Sequence, residues 1–179
     1  MGYQGTAGEL SEFREFMVDT RRRLRELERP TGTQINSIVQ NLPQPYGDYA
    51  IATGLSLAAT RYLDITITIP AGKTKVTLIA VGNVKAMDTT SGGVAVARAY
   101  IEANGTGFVW TSPIVTAAKD AGASVVANVI TPTLGFQQTG LTPGGSILVS
   151  LAVSATNPSA FPAHASNFNT LTVVATFFN

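Results

Sequence analysis

The 179-residue sequence has no cysteine and a single histidine, His164. A disulfide framework and zinc–thiolate sites are therefore excluded, and no multi-histidine metal site can be assembled within one chain. Charge is scarce too. Only 13% of residues are Asp, Glu, Lys or Arg, and twelve basic side chains against eleven acidic ones leave a net charge of +1. That balance removes any global electrostatic case for a nucleic-acid or membrane-surface partner. No uninterrupted apolar run approaches the ~18 residues of a spanning helix, so membrane insertion is not expected. The 45% hydrophobic content excludes general disorder, and the length suits one domain with an appendage.

What charge there is gathers at one end. Residues 1–29 hold six Arg and six acids, which leaves eleven charges for the other 150 residues. Residues 1–8 are small, polar and Gly-rich, without the basic and apolar regions of a secretory signal, and read as a flexible tail. Residues 9–29 contain no Gly or Pro and are rich in helix formers, and Pro30-Thr31-Gly32 stops the helix. Its apolar series is Leu10, Phe13, Met17, Leu24 and Leu27, completed by Thr20, with spacings of 3, 4, 3, 4 and 3. This is a heptad seam with Leu10, Met17 and Leu24 at a and Phe13, Thr20 and Leu27 at d. Glu9 then faces Arg14 of a neighbouring helix, and Arg23 faces Glu28, both complementary. The bland alternative is an amphipathic helix packed on its own domain. Three heptads alone are marginal, so an oligomer needs support elsewhere in the chain. The cluster Arg21-Arg22-Arg23 with Arg25 is matched by acids on the same helix and reads as solvated coiled-coil flanks, not as a nucleic-acid patch.

Residues 30–48 hold three of the nine prolines and read as an extended linker, in which Ile35, Ile38, Val39 and Leu42 can pin a short stretch. From Tyr49 onward the period becomes two. Leu63, Ile65, Ile67 and Ile69 alternate with Asp64, Thr66 and Thr68 before Pro70-Ala71-Gly72 turns the chain. Val76, Leu78 and Ala80 alternate next. Residues 94–102, 108–111 and 124–131 follow as strands, and Asn104-Gly105 reads as a hairpin turn. After the Pro143-Gly144-Gly145 turn, Ile147, Val149, Leu151 and Val153 alternate, and the chain closes on Leu171, Val173, Ala175 and Phe177. Seven to nine strands without a helix-period window predict an antiparallel β-sandwich over residues 49–179, jelly-roll-like in arrangement. Its outward positions are Thr, Ser, Ala and Asn more often than charges. Such a surface suits contact with copies of itself, and the side faces would supply the stability that the short coiled coil lacks.

Catalytic patterns are missing. There is no Gly-x-Ser-x-Gly elbow, and the Gly-rich pieces lack the Gly-Lys-Ser/Thr ending of a phosphate loop. The β region offers Asp48, Asp64, Asp88, Glu102 and Asp120, which neither pair as glycosidase carboxylates nor cluster as a Ca²⁺ loop. The sequence therefore predicts no enzyme, no metal site and no cofactor. Aromatic side chains in loops can stack on sugar rings, and by position the candidates are Tyr46, Tyr49, Trp110, Phe136 and Phe161. Phe108 and Trp110 fall on one strand face, and core is the default for at least one of them.

Two resemblances complete the reading. Arg23-Leu24-Arg25-Glu26-Leu27-Glu28 resembles the Arg-h-x-x-h-Glu signature of short trimeric coiled coils, where Arg and Glu bridge adjacent chains. The longer string from Arg22 to Gln34, ending in ELERPTGTQ, resembles minor tail proteins of tailed bacteriophages, particularly those infecting actinobacteria. The match is sharp over about 25 residues and shares only its style with the β region. It implies a virion protein assembled in the bacterial cytoplasm, a homotrimeric tail fibre or tail-tip component. Its N-terminal part would attach to other virion proteins, and its sandwich would face outward and bind host surface glycan. The alternative is a purely structural head fibre, decoration or collar protein.

Overall fold

The structure, a computed structural model, describes residues 7–28, 32, 37, 40–57, 63–88, 96–118 and 126–179. They belong to two units, Met1–Leu42 and Pro43–Asn179.

The first unit carries α1 (Ala7–Glu28), one helix as the uninterrupted run of helix formers predicts. It takes in Ala7 and Gly8 from the expected tail; residues 1–6 lie outside the described residues. Arg22 and Arg23 both reach back to Asp19, at 2.7 and 2.9 Å, so this Arg23 is engaged within its own helix. These ion pairs are solvent-exposed, and such pairs stabilise a helix only by a few tenths of a kcal/mol. Between residues 29 and 41 the described ones are Gly32, Ser37, Gln40 and Asn41, each with helical backbone; residues 30, 31, 33–36, 38 and 39 of the expected linker lie outside the described residues.

The second unit is a β-sandwich. Among the described residues its strands are β1 (Gln44–Thr53), β2 (Leu63–Thr68), β3 (Lys75–Asp88), β4 (Val96–Gly105), β5 (Phe108–Thr111), β6 (Val115–Ala118), β7 (Val126–Ile130), β8 (Thr133–Thr139), β9 (Ser146–Ala155) and β10 (Phe168–Phe178). They form two five-stranded antiparallel sheets. The first runs β1-β10-β3, and the far edge of β3 is shared end to end by β8, along 75–81, and β7, along 84–88. The second runs β2-β9-β4, and the far edge of β4 is likewise shared by β5 and β6. Each sheet thus has one continuous edge and one split edge.

Alternation does the folding. On β2 the inward Leu63, Ile65 and Ile67 are buried while Asp64, Thr66 and Thr68 are exposed, so a one-residue slip would put three large apolar side chains in water. Ile101, Ile147, Val149 and Leu151 from the second sheet meet Val76, Leu78, Leu171, Val173 and Phe177 from the first. Both predicted Pro/Gly turns form. Lys73 N–H donates to Pro70 O across Ala71-Gly72, and Gly145 N–H donates to Thr142 O across Pro143-Gly144, with positive φ at Gly72 and Gly144.

Other expectations need correction. The sandwich begins with β1 at Gln44, not at Tyr49, because an edge strand bonded only to β10 tolerates Pro45 and Gly47. Among the described residues the strands number ten, more than expected, because β6 and β8, each half of a split edge, are short and carry little alternation. The β4–β5 hairpin turns through Thr106-Gly107 instead of Asn104-Gly105; Gly105 is paired with Phe108, and the positive φ sits on Gly107.

Candidate functional site

The five candidate aromatics separate into distinct environments. Phe161 follows a three-residue 3-10 turn (Pro158–Ala160) and is fully buried, with its carbonyl accepting from Leu57 N–H. It plugs one end of the core and is not a loop platform for a sugar. The neighbouring Asn167, also buried, fixes this end. Its Oδ1 accepts from Met87 N–H at 2.7 Å, and its Nδ2 donates to Leu55 O and Pro162 O at 2.6 and 3.0 Å.

Phe136 is not on a loop either. It is a core residue of β8, 8% exposed, because its side chain points between the sheets with Leu134. Trp110 on β5 covers it: the two rings are stacked, 5.7 Å between centroids and 14° between planes. Phe108, on the same face of β5, also meets Phe136, tilted, at 6.0 Å and 51°. Trp110 Nε1–H donates to Gln138 Oε1 at 3.1 Å, and Gln138 Nε2 donates to Thr139 O at 2.8 Å. A β5 side chain of one sheet is thereby tied to a β8 side chain of the other, closing the sandwich where both edges are split. Trp110 nonetheless keeps 41% of its surface exposed. It combines an open surface with a fixed orientation, which a stacking platform needs. Gln138 was not among the sequence candidates. The signal for it was the alternation Leu134, Phe136, Gln138, hidden by Gly135 and the polar flanks.

Tyr46 and Tyr49 lie on β1 and face opposite sides. Tyr46 is half-buried against the core edge, and its hydroxyl donates to Asp48 Oδ2 at 3.0 Å, while Asp48 Oδ1 accepts from Tyr49 N–H at 2.7 Å. Burial first, then the hydrogen bond and the negative charge of Asp48, push the Tyr46 phenol above its ordinary 10.0. Tyr49 is 55% exposed on the outer side of the first sheet, away from Trp110. The structure therefore does not bring the five aromatics together; it brings together Phe108, Trp110 and Phe136.

Asp64 and Glu102 lie on the outer side of the second sheet, one on each side of Ser150, two strand spacings or ~10 Å apart. No group of three or more potential metal-ligating side chains occurs among the described residues. His164 Nδ1 accepts from Ser166 N–H at 3.1 Å within its own turn. On the helix, Met17 is 39% exposed, Thr20 half-buried and Arg23 exposed; the side chains of Leu10, Phe13, Leu24, Leu27 and Glu28 lie outside the described residues. Among the described residues no helix is long and apolar enough to cross a membrane.

No protein-family model and no curated protein matches the chain. Solved structures with a similar course of chain include dimeric latent PorU from Porphyromonas gingivalis, at 10% identity and a TM-score of 0.40, covering 75% of this chain and 13% of that one. Another is the globular domain of zebrafish complement 1qA protein, at 10% identity and a TM-score of 0.33, covering 77% and 96%. This chain spans about an eighth of the PorU chain. The established description is a chain with an N-terminal helix and a two-sheet antiparallel β-sandwich.

Proposed function

We propose that the chain is a homotrimeric structural protein of a tailed-bacteriophage virion, a tail fibre or tail-tip component and not an enzyme. The helical unit attaches to other virion proteins, and the sandwich faces outward and binds host surface glycan. The observation that carries this reading is the division of labour along the chain. A heptad-patterned helix leaves Phe16, Met17 and Val18 uncovered, and it precedes a sandwich with a complete core of its own. That layout is the one implied by the resemblance of residues 22–34 to phage minor tail proteins. The strand order supports a jelly-roll reading of the sandwich, since β1-β10-β3-β8 facing β2-β9-β4-β5 is the pattern of two interlocked Greek keys.

Within the glycan reading, Trp110 is the platform and Phe136 its backing. Trp110 is the sole tryptophan, so its fluorescence reports directly on occupancy. Titrating the full chain with cell-wall polysaccharide from actinobacterial cells should give a saturable change at micromolar protein. A flat titration, with no retention on whole cells, removes the glycan role. One observation favours the alternative, a purely structural head fibre, decoration or collar protein. The only polar atom of Trp110, Nε1, is already spent on Gln138.

A further inference from the structure

The longer continuous edge of the sandwich is β1. It has ten residues and, among the described residues, bonds to β10 alone, so one row of its backbone groups faces away from the sheet. The phase of that row follows from the ladder. Gly54 N–H donates to Asn167 O at 2.9 Å and carries the β1–β10 register one pair further, which turns the even-numbered residues of β1 toward β10. Gly47, Tyr49, Ile51 and Thr53 therefore aim their N–H and C=O groups outward. Pro45 falls in the same outward set and has no N–H to aim. Tyr49 and Ile51, on this row, are each 55% exposed. A long edge flanked by exposed apolar side chains is a template for strand pairing between chains.

Two features interrupt the row. Pro45 removes its first donor. The donor in the middle is already taken, because Tyr49 N–H donates to Asp48 Oδ1 at 2.7 Å. Asp48 is held in turn by Tyr46, whose hydroxyl donates to Oδ2 at 3.0 Å. Tyr46 packs against the core, so the carboxylate is pinned through both oxygens. Asp48 stands opposite Val173, on the inward-facing side of the strand, where a charge adds nothing to packing. Inward charges of this kind are a recurrent device of protected edges. An incoming strand would have to set a carbonyl oxygen against the carboxylate to reach the Tyr49 amide, and strip water from the charge as it did so. What remains on the row is a lone donor at Gly47 and a short stretch at Ile51 and Thr53.

We propose that Asp48 is a latch that closes the free edge of β1 to strand addition. Tyr46 positions the latch, and Pro45 closes the end that it does not reach. The strand kept out is the β1 of another copy. Two such edges meeting antiparallel across a two-fold axis would form one continuous sheet. The latch acts in a single chain and in an oligomer alike, so it does not depend on the function proposed above.

Hydrogen exchange of the full chain, followed amide by amide by NMR, reads the latch. The protection factor of Tyr49 should exceed that of Ile51 by roughly tenfold, although both amides face the same edge. Asp48→Ala should abolish the difference. Tyr46→Phe should lower it part of the way, and an unchanged value removes Tyr46 from the device. Light scattering at tens of micromolar, repeated over days, reads the edge. The double variant Pro45→Val/Asp48→Ala should reach roughly double the wild-type mass or more. Glu102→Gln, which removes a carboxylate from an interior strand of the other sheet, should keep the wild-type mass. Should the double variant lose its far-UV circular dichroism, the exchange of Asp48→Ala decides. Equal protection of Tyr49 and Ile51 in wild type overturns the latch. A folded double variant that keeps the wild-type mass overturns the closure, and equal growth of Glu102→Gln overturns it too, by assigning the effect to lost charge.

Discussion

The indole of Trp110 lies stacked on the ring of Phe136, and this contact helps join the split edge of one sheet to the split edge of the other. Paired strands elsewhere are held by backbone ladders within a sheet, whereas here the side chains of Phe108, Trp110, Phe136 and Gln138 close the gap between sheets. Trp110 is thus exposed yet held by both a ring stack and a side-chain hydrogen bond.

Removing it should cost stability before anything else. Trp110→Ala loses the stack and uncovers Phe136, at about 1–2 kcal/mol, while Trp110→Phe keeps the ring and loses only a partly exposed hydrogen bond, at under about 1 kcal/mol. Urea unfolding of the two variants checks this. If the glycan reading holds, both variants also weaken polysaccharide binding, alanine far more than phenylalanine.

Asn167 should be among the least replaceable polar residues of the sandwich. Asn167→Ala strands Met87 N–H and the carbonyls of Leu55 and Pro162 in a buried site, at about 2–4 kcal/mol. In a domain of this size that is a fall in Tm of roughly 10 °C, measurable by calorimetry. Asn167→Asp should be comparably harmful, because a carboxylate supplies no N–H to the two carbonyls.

Gly82 is a packing glycine. A Cβ there would lie 2.7 Å from Leu151 Cδ1 and 3.1 Å from Pro132 Cγ, where β3 passes from β8 to β7. Gly82→Ala should cost about 1–3 kcal/mol by overpacking, and Leu151→Ala about 2–5 kcal/mol by leaving a cavity. The double variant should cost less than the sum, since each change relieves the other. Additive costs would show that the two positions do not compete for the same space.

Much of this architecture is legible in the sequence, and the places where it is not share a cause. Strands β2, β9 and β10 alternate large apolar with Thr or Ser because each is buried on one side along its full length, so the period survives. On β1, Pro45, Gly47 and Asp48 break the period, yet an edge strand with one neighbour needs no more than its ladder to β10. On β8 only Leu134 and Phe136 are large and inward, and a seven-residue strand offers too few positions to show a period. Missing β8 also misplaced Phe136 onto a loop. Phe161 was misjudged for a related reason: Pro158 and Pro162 around it announce a turn, but nothing local says that the turn folds over the end of the core. Exposed aromatics are tertiary facts, whereas alternation is a local one.

The Tyr46–Asp48 pair predicts a pH effect of definite sign. The phenol is raised in the folded chain, so the native state favours its protonated form. Its stabilising contribution is fully present below the unfolded-state value of about 10 and is lost as pH rises through the higher folded value. Denaturation midpoints of wild type and Tyr46→Phe, measured from neutral pH to beyond 11, should therefore keep a constant difference below 10 and shift relative to each other above it, wild type falling more. Parallel curves would mean that the Asp48 contact does not bias the phenol.

Under the proposed function the chain works as a trimer joined through its helix seam. Native mass spectrometry of the full chain, at tens of micromolar, tests it most directly. A trimer gives a dominant species of three times 18.7 kDa. A spectrum holding only the 18.7 kDa chain contradicts it.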